Sequence, residues 1–321
     1  MCVAGTTAKI ARRFAVALAL AFVFLAFAGY AHAATVRDAA GRSVTITDTG
    51  RIVSIGGAVT EILYALGLAE RVVAVDATSL YPDEALKKKP SVGYFRALSA
   101  EGVLGLNPSL VLAIDGAGPK ETVSVLEAAA VPFVRVPDNY SADGILQKIR
   151  MIAEATGATS RGECLATQVA TDLAVLSALR AKIKKPVKVM FVISLLNGKP
   201  MVAGRNTAAD GIIRMAGAVN AIDAYEGYKQ ISDEAVIAAG PDTVLVMQRG
   251  RDAIDAATVF SLAAFTMTPA AARKSFVAMD GLYLLGFGPR TATAARDLAE
   301  RLYPALGHEA LPSERASNGC Y

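Results

Sequence analysis

Tyr81 closes the run Asp76-Ala77-Thr78-Ser79-Leu80-Tyr81-Pro82, and a phenol in that place has three chemical uses. It can stack on a flat ligand, donate a hydrogen bond, or bind ferric iron through its oxygen. The run follows Val72-Val73-Ala74-Val75, whose β-branched residues predict a short buried strand. Tyr81 is therefore expected in a loop just past the strand's carboxyl end, where ligands bind in open α/β sheets.

Catalytic chemistry is poorly supplied by comparison. Gly56-Gly57 and Gly286-Phe287-Gly288 hint at nucleotide loops, but neither completes G-x-G-x-x-G with an acid about 20 residues on. Close backbone approach or a tight turn accounts for such glycines better. Cys164 has no histidine partner, and a Ser-His-Asp arrangement would depend on His308 near the carboxyl terminus. A nucleotide-dependent enzyme is the remote alternative. Cys164 lies in a helical pattern and Cys320 in a polar tail; the two can pair in an oxidising compartment, but they define no disulfide framework.

The elements that must position Tyr81 read as two αβ lobes. Residues 1–33 predict a cleaved secretory signal: Arg12-Arg13, an apolar run from Phe14 to Ala28, and Ala31-His32-Ala33 as a cleavage site. Losing it removes Lys9, Arg12 and Arg13, so 30 basic residues face 29 acidic ones in a nearly neutral mature chain. Nothing in that balance suggests a nucleic-acid partner, and no membrane span is expected once the signal is gone.

Residues 34–158 form the expected first lobe. Its strands are 51–55, 72–75, 110–114 and 132–136, with a helix over 60–66. The expected second lobe, 185–311, has strands over 187–193, 243–247 and 276–279 and helices near 209–216 and 290–303, with a tail at 312–321. This alternation implies doubly wound lobes with largely parallel sheets. An internal echo supports the pairing: the unit from Leu98 to Ile114 reappears 133 residues later from Ile231 to Met247. In both, a serine caps a helix with a glutamate two residues on, the helix stops at Asn or Gly, and a proline precedes a strand.

Between the lobes, residues 159–184 predict a single long helix. Leu165, Val169, Leu173, Leu176, Leu179 and Ile183 make its packing stripe, while Asp172, Arg180 and Lys182 are expected to face water. From Ser160 to Ile183, at about 1.5 Å per residue, this strut is about 36 Å long, and two lobes it joins should move by small angles.

With Ser54-Ile55-Gly56-Gly57-Ala58-Val59-Thr60-Glu61, the paired Pro108 and Pro241 units and the strut, the chain resembles the helix-linked periplasmic substrate-binding proteins of ABC importers. It is most similar to the haem-binding branch through the Tyr81 run, Val92-Gly93-Tyr94-Phe95-Arg96, Ala203-Gly204-Arg205-Asn206, Gly227-Tyr228-Lys229 and Leu284-Leu285-Gly286-Phe287-Gly288-Pro289-Arg290. The resemblance implies a periplasmic, monomeric carrier of ferric haem with an inner-membrane permease as partner and Tyr81 as axial iron ligand. Phenols titrate near pH ~10, but a ferric ion favours the phenolate, and a hard anionic oxygen keeps haem iron oxidised.

Such a site needs apolar walls and cations for two propionates, with Tyr94, Arg96, the 115–119 loop, Arg205, Arg249, Phe287 and Arg290 as candidates. Where some relatives have a basic residue two positions past the ligand tyrosine, this chain has Asp83. Others use a second-lobe histidine and stack two haems; here only His32 and His308 exist, so one haem and no histidine ligand are expected. Glu61 is the expected docking acid of the first lobe, with Glu226 or Glu234 standing in where Val219 fills the second-lobe position. The same fold carrying cobalamin or a ferric siderophore is the near alternative, whereas zinc or manganese would want cleft histidines.

Overall fold

The computed structural model describes residues 33–196, 198–248, 254–308, 310–315 and 320. The leader expected over 1–33 lies outside the described residues but for Ala33, and so does Arg249. Among the described residues no helix is long and apolar enough to cross a membrane.

A hairpin of β1 (Ala34–Arg37) and β2 (Ser43–Ile46) opens the described chain. The first lobe is then built on four parallel strands, β3 (Ile52–Ile55), β4 (Val72–Val75), β5 (Leu110–Ile114) and β6 (Phe133–Val136), in the order β4-β3-β5-β6. Every residue of β3 and β5 is buried, as strands covered on both faces require.

The second sheet is parallel in part and mixed as a whole. β7 (Lys188–Leu196), β11 (Thr243–Gln248) and β12 (Phe276–Asp280) pair in parallel, and the two-residue β9 (Val219–Asn220) joins β7 the same way. However, β8 (Lys199–Ala203) folds back antiparallel on β7, and β10 (Tyr228–Gln230) runs antiparallel to β8. This half of the sheet is a meander because β7 and β8 are joined by too few residues for a helical crossover.

The repeated units fold as the sequence implies. Ser99 and Ser232 accept hydrogen bonds from the amides of Gly102 and Ala235, each capping a helix. Gly240 caps the second of these helices with φ 52°, and Asn107, between the first helix and β5, has φ 48°, the left-handed turn that an asparagine or glycine accepts at low cost.

The linking helix runs from Thr159 to Ala181. Leu165, Val169, Leu173, Leu176 and Leu179 are buried as a stripe, the first four within a hydrophobic core that continues from Val36 in the first lobe to Leu311 in the second. It packs closely on the helix Ala142–Ala155: a side chain at Gly162 would meet the Ala153 methyl at 2.2 Å. This helix is thus a shared wall of both lobes rather than a bare strut.

One expectation about the helix is corrected. Asp172 does not face water; it is buried, and its carboxylate accepts a hydrogen bond from the Ser313 amide at 3.0 Å. The tail is folded on the helix there, with Pro312–Arg315 helical, Leu311 buried and Glu314 paired with Arg296. Cys320 forms a disulfide with Cys164 across 156 residues of sequence. Closing so long a loop restricts the unfolded chain, so Cys320→Ser should lower stability by about 2–4 kcal/mol, read as a drop in the urea midpoint that reductant reproduces in the parent.

Candidate ligand-binding site

The Tyr81 loop is shaped by one buried carboxylate. Asp76, just past β4, accepts hydrogen bonds from the Gly56 amide at 2.9 Å, the Thr78 amide at 3.0 Å, the Thr78 hydroxyl at 2.7 Å and the Ser79 hydroxyl at 2.9 Å. The Thr60 hydroxyl lies 2.7 Å from both Ser54 and Ser79, extending the network to β3 and the helix Gly57–Ala65. Thus Asp-x-Thr-Ser winds around its own aspartate, as short polar side chains do in turns.

Beyond this anchor the chain emerges, leaving Leu80 50% and Tyr81 41% exposed. The Tyr81–Pro82 bond is cis. Asp83 points to solvent and pairs with Lys87 at 3.1 Å.

Gly56 and Gly57 do the structural work suggested for them. Gly56 has φ 112°, and a Cβ there would press on Ile114 at 2.8 Å. At Gly57 a Cβ would meet the Thr78 carbonyl and a Leu282 methyl, both at 2.5 Å. Gly57→Ala should therefore cost about 1–3 kcal/mol by overpacking, measurable by thermal unfolding.

A second loop lies against the first. The Ala77 amide donates to the Gly93 carbonyl at 2.8 Å, setting Tyr94 and Arg96 beside the Tyr81 run. Tyr94 is 42% exposed and meets the Phe95 ring edge-on, while the Arg96 guanidinium lies 5.0 Å from that ring's centre. The Phe95 carbonyl accepts from the Gly118 amide and the Gly118 carbonyl from the Leu98 amide, both at 2.9 Å, joining the 115–119 loop to this group.

The second lobe contributes Arg290 directly. Its guanidinium lies 3.4 Å from the centre of the Tyr81 ring and 5.2 Å from that of Tyr283. Glu61 of the first lobe holds it, with Nε at 3.1 Å, Nη2 at 3.0 Å and the Arg290 amide at 3.2 Å. Glu61 is 5% exposed, and here it faces the second lobe rather than an outside partner, because three donors from Arg290 enclose its carboxylate. It is the fifth residue of its helix, outside the first turn where a carboxylate would meet the helix dipole.

Phe287 is not an open wall. It is buried with φ 50°, its ring edge-on to Tyr140 at 5.2 Å, and its carbonyl accepts from the Lys148 ammonium at 3.3 Å. Lys148 is itself buried and paired with Asp138 at 2.7 Å. The ring contact and the Lys148 hydrogen bond to the Phe287 carbonyl join the two lobes. Arg205 stays half-exposed, 3.9 Å from Glu226, in the strand-like bridge those two residues form.

Tyr140 and Tyr228 are residues that sequence reading did not single out as contacts. Burial pushes both phenols up, Asp138 raises Tyr140 further, and the Arg96 charge works against the rise at both. Two concavities, of about 680 Å³ beside Arg180 and Arg214 and about 380 Å³ beside Asp115 and Arg135, do not include Tyr81. The Tyr81 face is an exposed surface of aromatic and apolar groups flanked by arginines, suited to a flat anionic ligand more than to a small enclosed one.

Known proteins resemble the chain over most of its length. The solved structure of the periplasmic heme-binding protein RhuT from Roseiflexus sp. RS-1 in apo form is 42% identical, with a TM-score of 0.76 over 81% of this chain and 100% of that one. The periplasmic heme-binding protein BhuT in complex with two hemes is 39% identical, with a TM-score of 0.75 over 80% and 99%. Among curated sequences, the ABC transporter substrate-binding lipoprotein YvrC of Bacillus subtilis is 29% identical over 84% of this chain and 85% of its own. The vitamin B12-binding protein of Vibrio vulnificus strain YJ016 is 31% identical over 61% and 70%. The periplasmic binding protein model matches residues 52–286, spanning both sheets and the helix between them, and the chain belongs to that family.

Proposed function

We propose that this is an extracytoplasmic haem carrier that takes ferric haem at the Tyr81 face and passes it to an inner-membrane ABC permease. The observation that carries this reading is the Tyr81 phenol, held clear of the core by the Asp76 network and flanked by Arg290. A phenolate oxygen is a hard donor that suits ferric iron, Leu80 and Tyr94 offer apolar contact to a porphyrin, and Arg96 offers a charge for a propionate. Resemblance at 39–42% identity to two heme-binding proteins supports the same cargo. One haem is expected, although BhuT is described with two, because the second lobe's histidine, His308, sits exposed at its carboxyl end, paired with Glu300.

Cobalamin is the second reading, favoured by the vitamin B12-binding relatives. A thermal melt separates the cargoes: hemin should raise the melting temperature and cyanocobalamin should leave it unchanged. The reverse pattern would move the assignment to cobalamin.

Docking to the permease is assigned to Glu101 and Glu234 in place of the enclosed Glu61. Both are exposed, and they occupy matching positions in the two repeated units, one on each lobe.

A further inference from the structure

We infer that Glu61 is a positioning residue for the Tyr81 ring, acting across the lobe boundary through Arg290; this rests on the haem reading above. Arg290 has three partners, Glu61, Tyr81 and the more distant Tyr283, and they differ in strength. Three charge-assisted hydrogen bonds tie it to Glu61, whose own side chain is nearly buried. Its contact with Tyr81 is a single cation–π interaction against a ring that is 41% exposed. Glu61 therefore decides where the guanidinium sits, and the guanidinium decides how the ring lies.

The carboxylate is seated as firmly as the arginine. A Cβ added at Gly288 would lie 3.4 Å from the Glu61 carboxyl carbon, so the second-lobe backbone passes directly over it. On the first lobe, the adjacent Thr60 belongs to the same hydroxyl network that anchors the Tyr81 loop. One short helix segment thus fixes the loop from below through Thr60 and the ring from the side through Glu61.

With Arg290 covering one face of the ring, iron must reach the oxygen in a single ring orientation. A ligand group held in its bound orientation before binding spares that ordering cost on capture.

The test uses the full mature protein with hemin and two variants, Glu61→Gln and Arg290→Lys. Gln cannot hold the guanidinium with paired charge, and Lys keeps the charge while losing the planar fork. Both should speed haem release about tenfold or more, the scale seen when partners of a metal ligand are removed. Both should also broaden the high-spin ferric electron paramagnetic resonance signal, as the ring samples several orientations. Unchanged linewidth with release within twofold of the parent, in variants that melt normally, overturns the inference.

The apo protein gives an independent arm. With ring-labelled tyrosine and Tyr81→Phe for assignment, the Tyr81 resonance should shift in both variants; an unmoved resonance also overturns the inference. Should the parent bind no hemin at all, the haem reading fails, and this apo measurement still decides the placement of the ring.

Discussion

Tyr81→Phe should retain the fold and the Arg290 contact yet lose the haem. The substitution removes one oxygen from a ring that is 41% exposed, so no buried polar group is stranded and the melting temperature should change little. Affinity for hemin should fall by at least about 100-fold, because even outer-shell partners of a metal ligand are commonly worth about 10–100-fold. Any hemin still bound should lack the charge-transfer absorption of a phenolate-ligated ferric centre. Titration of parent and variant side by side reads both quantities. Equal affinity and an unchanged spectrum in Tyr81→Phe would remove Tyr81 from the iron.

Asp76→Ala should do the greater damage to the fold. Asp76 is fully buried and accepts four hydrogen bonds, two from backbone amides and two from hydroxyls. An alanine leaves those donors without their acceptor in a space closed to water, which should cost on the order of 3–5 kcal/mol. Because Thr78 and Ser79 lose the centre they wrap, the Tyr81 loop should also loosen, and hemin affinity should drop with stability. Asp76→Asn retains one oxygen acceptor and should fall between alanine and the parent in urea unfolding. A loss of stability with hemin binding intact would show that the loop keeps its shape without its carboxylate.

Much of this architecture was legible because its signals are local. The Ser99 and Ser232 caps, the turns at Asn107 and Gly240 and the buried strands around them each depend on a few adjacent residues, and all form as expected. The antiparallel β8 was missed although its signal was present, since Asn197-Gly198 is a hairpin dipeptide between two apolar runs. The β1–β2 hairpin had a similar mark in Asp38 and Gly41, whose carbonyl and amide close the turn at 2.9 Å.

What the sequence withheld is set by distant partners. Asp172 looked solvated by helical spacing, and only the returning chain at Ser313 explains its burial. Cys164 and Cys320 carry no common motif across 156 residues. Glu61 and Arg290 were read separately, as a docking acid and a propionate clamp, because nothing local shows that 229 residues of chain bring them together. Phe287 was read as an apolar wall of the haem site, whereas its positive φ turns the ring inward against Tyr140.

Whether ferric iron meets the Tyr81 oxygen is read most directly in the absorption spectrum of the purified mature protein titrated with hemin. A five-coordinate, high-spin ferric spectrum with a phenolate charge-transfer band, saturating at one equivalent, is the expected result. Saturation without that band, or a hemin spectrum indistinguishable from the free compound, would contradict it.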